Sequence, residues 1–229
     1  MGYALSFRTL RELARIAAPT VAEALVGRGD RATHDHRLHA FGARFIRLAH
    51  IELEVTGAAH IPLDRAYVYM SNHQSHTDIP VLYATVPSST LRMVAKTELF
   101  RIPGLGRAMR ASDFIEVDRK DHARALASLE RAGDLIADGV SVWIAPEGTR
   151  SVTGELGPFK KGGFHLACDT GTPIVPVSIQ GTLAILPPGG GRIEPGHRVR
   201  VAFGAPIATA GRAIPEVMAE VRAFLEAGS

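Results

Sequence analysis

Two short runs of this chain carry residue types that can do chemistry at neutral pH. The first is Ser71-Asn72-His73-Gln74-Ser75-His76-Thr77-Asp78-Ile79-Pro80. It follows an apolar run, Tyr67-Val68-Tyr69-Met70, that reads as a strand, and it precedes a helix. On one regular helix, residues five apart diverge by about 140° and do not meet. His73 and Asp78 meet only if the chain turns between them and Asp78 alone joins the helix start. There Thr77 or Asp78 suits the N-cap and Pro80 the first turn. Asp78 can then accept from one imidazole nitrogen and leave the other as a base. The competing reading is a surface-loop histidine beside a plain helix cap. Ten histidines and ten aspartates in 229 positions give about 0.4 such pairs by composition alone.

The second run is Ala145-Pro146-Glu147-Gly148-Thr149-Arg150-Ser151, after the strand-like Val142-Trp143-Ile144. A carboxylate, a glycine, a hydroxyl and a guanidinium at a strand end make a polar site. Arginine can grip a phosphate with two hydrogen bonds, and glycine lets the backbone approach. Lys160 and Lys161 follow where a helix should begin, which suits an anion. The plain alternative is a turn with a Glu147–Arg150 surface pair. Two further runs have strand character: Phe114-Ile115-Glu116-Val117-Asp118-Arg119, and Ile174-Val175-Pro176-Val177-Ser178-Ile179 with its internal proline. His76 reads as a loop residue, Cys168 as a small buried residue and Trp143 as core.

In order and spacing, these runs resemble the glycerolipid acyltransferase family, which includes the bacterial lysophosphatidate acyltransferases. Asn72 to Asp78 matches its first block, Asn-His-x4-Asp. Glu147-Gly148-Thr149-Arg150-Ser151 matches the third, with Ala145 where phenylalanine is usual, and Val175-Pro176-Val177 matches the fourth. In the second block Ile115, Val117, Asp118 and Arg119 agree, whereas Glu116 stands where an aromatic is usual and Asp113 where glycine is usual. The likeness covers about residues 50–205. It implies transfer of a fatty acyl group from acyl-CoA or acyl carrier protein to the hydroxyl of 1-acylglycerol 3-phosphate. His73 would be the general base and Asp78 its orienting partner. Glu147, Gly148, Thr149 and Arg150 would bind the acceptor, with Arg119 and Arg150 on its phosphate. Amides near Gly148 would face the oxyanion, and Lys96 would either add positive charge near the acceptor or simply be solvated. No covalent acyl-enzyme is needed, so Ser75 need not be a nucleophile, and no cofactor or metal is implied beyond the thioester co-substrate. The imperfect second block leaves room for another lysolipid acceptor, such as a lyso-ornithine lipid. A non-catalytic lipid-binding partner is the reading from a different class.

The elements that must position these residues follow from the pattern. Strands are expected at 51–55, 66–70, 92–95, 114–117, 141–145, 174–179 and 199–203. Helices are expected at 79–86, 104–110, 121–138, 160–170 and 214–227. The alternation predicts an α/β fold with a mixed, largely parallel sheet flanked by helices. Runs such as 141–145 and 174–179, rich in Val and Ile, suit strands buried on both faces. Ahead of this domain (50–229), residues 1–49 read as a two-helix amphipathic hairpin, with helices at 4–26 and 34–49 and a Gly-rich turn between. In the first helix Arg8, Arg11 and Arg15 share a face opposite Leu10, Leu13, Ala14 and Ala17. In the second, Leu38, Phe41, Phe45 and Leu48 form a stripe flanked by arginines. Such a hairpin can lie in a membrane interface or pack on the domain with its arginines solvated.

Composition narrows the classes. Hydrophobic residues make up 46% and charged residues 21%, the balance of a folded domain. One cysteine excludes a disulfide scaffold and a thiolate zinc site. The net charge is only +3 and no basic run is interleaved with aromatics, so nucleic acid is a poor partner. Residues 1–50 hold eight arginines against four acids, a surplus of +4 that leaves the remainder near −1. No segment has the ~20 apolar residues of a spanning helix, and no signal peptide is evident. The expected location is therefore peripheral, on the cytoplasmic face of a membrane.

Overall fold

The computed structural model describes residues 2–26, 28–118 and 122–228. In chain order the elements are α1 (Gly2–Leu25), α2 (Arg31–Leu48), β1 (Glu52–Thr56), a 3-10 turn (Ala58–His60), β2 (Val68–Ser71), α3 (Asp78–Thr85), β3 (Leu91–Lys96), α4 (Thr97–Phe100), α5 (Leu105–Ala111), β4 (Ile115–Val117), α6 (His122–Ala137), β5 (Ser141–Ile144), α7 (Gly162–Thr170), β6 (Ile174–Gln180), α8 (Thr182–Ile185), β7 (Arg198–Phe203) and α9 (Ile214–Ala227). The strands form one sheet in the order β1-β7-β6-β2-β5-β3-β4. Every pair is parallel except β6 with β7.

The central strand β2 is buried along its whole length, which its unbroken apolar run requires. Tyr67 and Tyr69 face a core shared with Leu38 and Phe45 of α2 and Val81 and Leu82 of α3. Val68 and Met70 face the opposite core, with Phe164 of α7, Leu135 of α6 and Val221 of α9. The result is a three-layer α/β/α sandwich. Pro176 is tolerated inside β6 because its missing N–H would point toward β7 just past that strand's end. Its carbonyl on the same side accepts from Gly204 N at 2.9 Å.

The expected strands and long helices are all present, with ends shifted by a few residues. Two single-turn helices, α4 and α8, were not expected; four residues are too few for a periodic signal. The second helix starts at Arg31 rather than 34, because the Asp30 carboxylate caps it by accepting from Thr33 N at 2.8 Å.

The first helix keeps Arg8, Arg11 and Arg15 exposed, as expected, but does not bury the apolar face opposite them: Leu10 and Ala14 are exposed and Leu13 and Ala17 only half-buried. Leu5, Glu12 and Thr20 are buried, while Tyr3, Phe7 and Leu10 are 73, 70 and 63% exposed. The seam between α1 and α2 is polar. Glu12 accepts from Arg44 at 3.0 Å, and Glu23 accepts from both terminal nitrogens of Arg37 at 2.7 and 2.5 Å. These arginine hydrogen bonds hold both carboxyls below the usual carboxylate range. Carboxylates satisfied in this way can sit inward, which turns the apolar stripe outward.

The second helix is the bed for α3. Gly42 packs so closely that a Cβ there would lie 2.6 Å from Pro80 O and 2.7 Å from Ala84 N. At the foot of α2, the fully buried Arg92 of β3 donates to Asp35, whose other oxygen accepts from Thr90 Oγ1 at 2.8 Å. Asp113 has φ +57°, a left-handed conformation that glycine adopts most readily and aspartate tolerates. That accounts for glycine being usual at this position. Arg31 and Arg131 each lie 3.6 Å from its carboxylate.

Candidate active site

The loop from Asn72 to Thr77 leaves the C-terminal end of β2, the end at which parallel sheets gather functional groups. Asp78 opens α3, yet it does not cap it. Thr77 holds the N-cap position, and the Asp78 carboxylate turns back so that the loop wraps around it. One oxygen, Oδ2, accepts from His73 Nδ1 at 2.7 Å, Gln74 N at 2.8 Å and Ser75 N at 3.0 Å. Asp78 is fully buried, and Oδ1 has no partner among the described residues. A carboxylate accepts only, so the Nδ1–H form of His73 is favoured and Nε2 carries the lone pair. The half-buried His73 side chain is 14% exposed.

Three further groups hold this loop. Asn72 extends the sheet with its side chain: its amide donates to Ile179 O and accepts from Ile179 N, both at 2.8 Å. Glu147 accepts from His73 N at 3.0 Å with one oxygen and from Gly157 N at 2.9 Å with the other. Ser151 N donates to His73 O at 2.7 Å. The peptide groups flanking His73 are thus clamped by the turn after β5, which lies beside β2 in the sheet. Ser75 is fully buried and its hydroxyl donates to Leu186 O at 2.7 Å, an arrangement that leaves no exposed nucleophile there.

The turn after β5 separates the expected binding residues. Glu147 is buried with both oxygens engaged by backbone amides, so it forms no surface pair with Arg150. Gly148 has φ +72°, and its amide donates to Ala145 O at 3.0 Å. That N–H is therefore not free for an oxyanion. Thr149 is exposed and Arg150 half-buried, and Arg150 forms no ion pair or hydrogen bond among the described residues. Lys96 is exposed at the end of β3. His76 is exposed at its outer edge. Partial removal from water, then the charges of Arg150, His73 and Lys96, push its imidazole down to about 4. The positive charges of Arg150, His73 and Lys96 thus all act on His76. Arg119 lies outside the described residues. Among them, no three His, Cys, Asp or Glu side chains converge as a metal site would.

The sequence pattern of the acyltransferase family, described as such, matches residues 52–180, more than half the chain and the whole of this constellation. The chain belongs to the acyltransferase family. Among its relatives, the chloroplast 1-acyl-sn-glycerol-3-phosphate acyltransferase BAT2 of Brassica napus is 39% identical over 155 residues, covering 67% of this chain and 44% of that protein. The human 1-acyl-sn-glycerol-3-phosphate acyltransferase alpha is 40% identical over 128 residues, covering 56% of this chain and 45% of that one. This chain therefore spans less than half the length of those two relatives. The crystal structure of the 1-acyl-sn-glycerophosphate acyltransferase PlsC from Thermotoga maritima superposes with a TM-score of 0.83 at 28% identity. It covers 98% of this chain and 93% of that one. The match to that acyltransferase extends through the N-terminal hairpin as well as the sheet.

Two contributors to this candidate site escaped sequence reasoning. Asn72 was matched without a role, and its bonds to Ile179 require the β2–β6 adjacency. Trp143, expected as plain core, lies with its ring centroid 5.4 Å from that of His73.

Proposed function

We propose that the chain transfers a fatty acyl group from an acyl thioester, of coenzyme A or acyl carrier protein, to the free hydroxyl of 1-acylglycerol 3-phosphate. The observation that carries this reading is His73, with Nδ1 bound to the buried Asp78 and Nε2 without a partner among the described residues. The acceptor's hydroxyl gives its proton to Nε2 as its oxygen attacks the thioester carbonyl carbon. Asp78 stabilises the imidazolium. Collapse of the tetrahedral intermediate breaks the C–S bond, and the imidazolium returns the proton to the departing thiolate. Arg150, with Arg119, holds the acceptor's phosphate, and Lys96 adds positive charge. Thr149 and the backbone at Gly148 shape the acceptor side of the site, while Glu147 acts through the two loops it joins.

The reaction takes place at a lipid surface in this reading. No helix among the described residues is long and apolar enough to cross a membrane. The outward stripe of Tyr3, Phe7 and Leu10 on α1, bordered by exposed Arg8, Arg11 and Arg15, supports peripheral docking on the cytoplasmic leaflet. The deciding experiment supplies purified protein with acyl-CoA and a panel of lysolipids and analyses the products. Phosphatidate formed from lysophosphatidate in preference to other products supports the reading. Acylation only of a lysolipid without phosphate overturns the acceptor assignment.

A further inference from the structure

We propose that Trp143 is a positioning residue for His73, holding the imidazole ring by direct contact and the backbone behind it through Ser71. The proposal rests on His73 being the proton acceptor.

Trp143 sits on β5 in register with Tyr69 of β2, and is only 4% exposed. Its indole meets the His73 imidazole nearly perpendicularly, at an interplanar angle of 84°. Its Nε1–H donates to Ser71 Oγ at 2.9 Å, and that hydroxyl donates to Asn72 O at 2.8 Å. Ser71 is fully buried, so both bonds lie away from water. The chain of bonds ends on the peptide that joins Asn72 to His73. Asp78 fixes one nitrogen of the imidazole, but one hydrogen bond leaves a ring free to swing about it. The indole closes that freedom on one side. Nε2 is then held in one place, where a displacement of about 1 Å can cost roughly a hundredfold in rate.

Trp143 is the one tryptophan of the sequence, so intrinsic emission reports this contact directly. Asp78 meets the imidazole itself, and Glu147 accepts from the backbone N–H of His73.

The test compares Trp143 emission at one fixed neutral pH in the wild-type protein and in His73→Gln, alongside kcat and KM for Trp143→Phe and Trp143→Leu. Removing the imidazole from the indole should change the intensity or the maximum of emission. Trp143→Phe keeps a ring but not the bond to Ser71, and should lower kcat about 3–10-fold. Trp143→Leu should lower it about 30–100-fold, with KM values within about twofold and activity normalised to folded protein. Unchanged emission in His73→Gln, or losses that appear only in KM, would overturn the proposal. If Trp143→Leu does not fold, Trp143→Phe and the emission comparison decide. If no lysolipid is acylated, the acyltransferase reading fails while the emission still shows whether indole and imidazole touch.

Discussion

Replacing Asp78 with asparagine should separate two duties that alanine would remove together. Three N–H donors converge on Oδ2, and Oδ1 has no partner among the described residues. An asparagine can therefore place its oxygen on the donors and its NH2 at the partnerless position. The loop and the His73 tautomer survive, and stability falls by about 1 kcal/mol or less. What is lost is charge. A hydrogen bond to a charged group contributes about 1.5–3 kcal/mol and a neutral one about 0.5–1.5, so stabilisation of the imidazolium drops by about 1–2 kcal/mol. That corresponds to a fall in kcat of about 5–30-fold. Asp78→Ala leaves three donors without an acceptor, at about 1–3 kcal/mol for each that stays buried. It should lose at least about 2–4 kcal/mol of stability and at least another tenfold in kcat. Urea unfolding and phosphatidate formation measured on both variants check this. Equal losses in the two variants, or full activity in Asp78→Asn, would refute the reasoning.

Other outcomes follow from the same geometry. Gly42→Ala forces a methyl against the α3 backbone, 2.6 Å from Pro80 O. It should cost about 1–3 kcal/mol and lower kcat, since α3 begins with Asp78; unfolding and rate measurements together test both effects. The triple change Tyr3→Ser, Phe7→Ser and Leu10→Ser removes side chains each able to contribute about 1.5–3 kcal/mol on burial. Sedimentation with anionic vesicles should show binding weakened at least about a hundredfold, and unchanged binding would move the docking surface elsewhere. The imidazoles of His34 and His76 both lie below their ordinary value. For His34 the cause is burial, then Arg37 and Arg92; for His76 it is loss of water, then Arg150. The unfolded chain therefore binds more protons than the folded one as pH falls below about 6.5. Stability declines from there toward pH 4 and is insensitive to these groups above that window. Replacing both with glutamine should flatten the acid limb of urea-unfolding stability, and an unchanged slope would contradict these assignments.

The middle of the sheet was legible because β2, β5 and β6 are buried on both faces and spell continuous apolar runs, as in 174–179. The spacing of His73 and Asp78 left their meeting conditional on a turn between them, and the ordered family motifs favoured it over a surface-loop histidine beside a plain helix cap. The facing of α1 was not. An amphipathic pattern marks two faces without saying which meets protein and which meets another medium. Here Glu12 and Glu23 turn inward because Arg44 and Arg37 lie 32 and 14 residues away in sequence, beyond any local pattern. Glu147 was read as an acceptor ligand because its partners, the amides of His73 and Gly157, become neighbours only when β5 lies beside β2. Trp143 was read as plain core for the same reason: on β5 alone nothing marks its contact with His73.

The most direct measurement compares phosphatidate formation from acyl-CoA and lysophosphatidate by the wild-type protein and by His73→Ala, both shown folded by the same thermal transition. General-base catalysis contributes about 10²–10⁴ in rate, so the variant should be slower by at least about a hundredfold with little change in KM. Phosphatidate formed by His73→Ala at the wild-type rate would contradict the account.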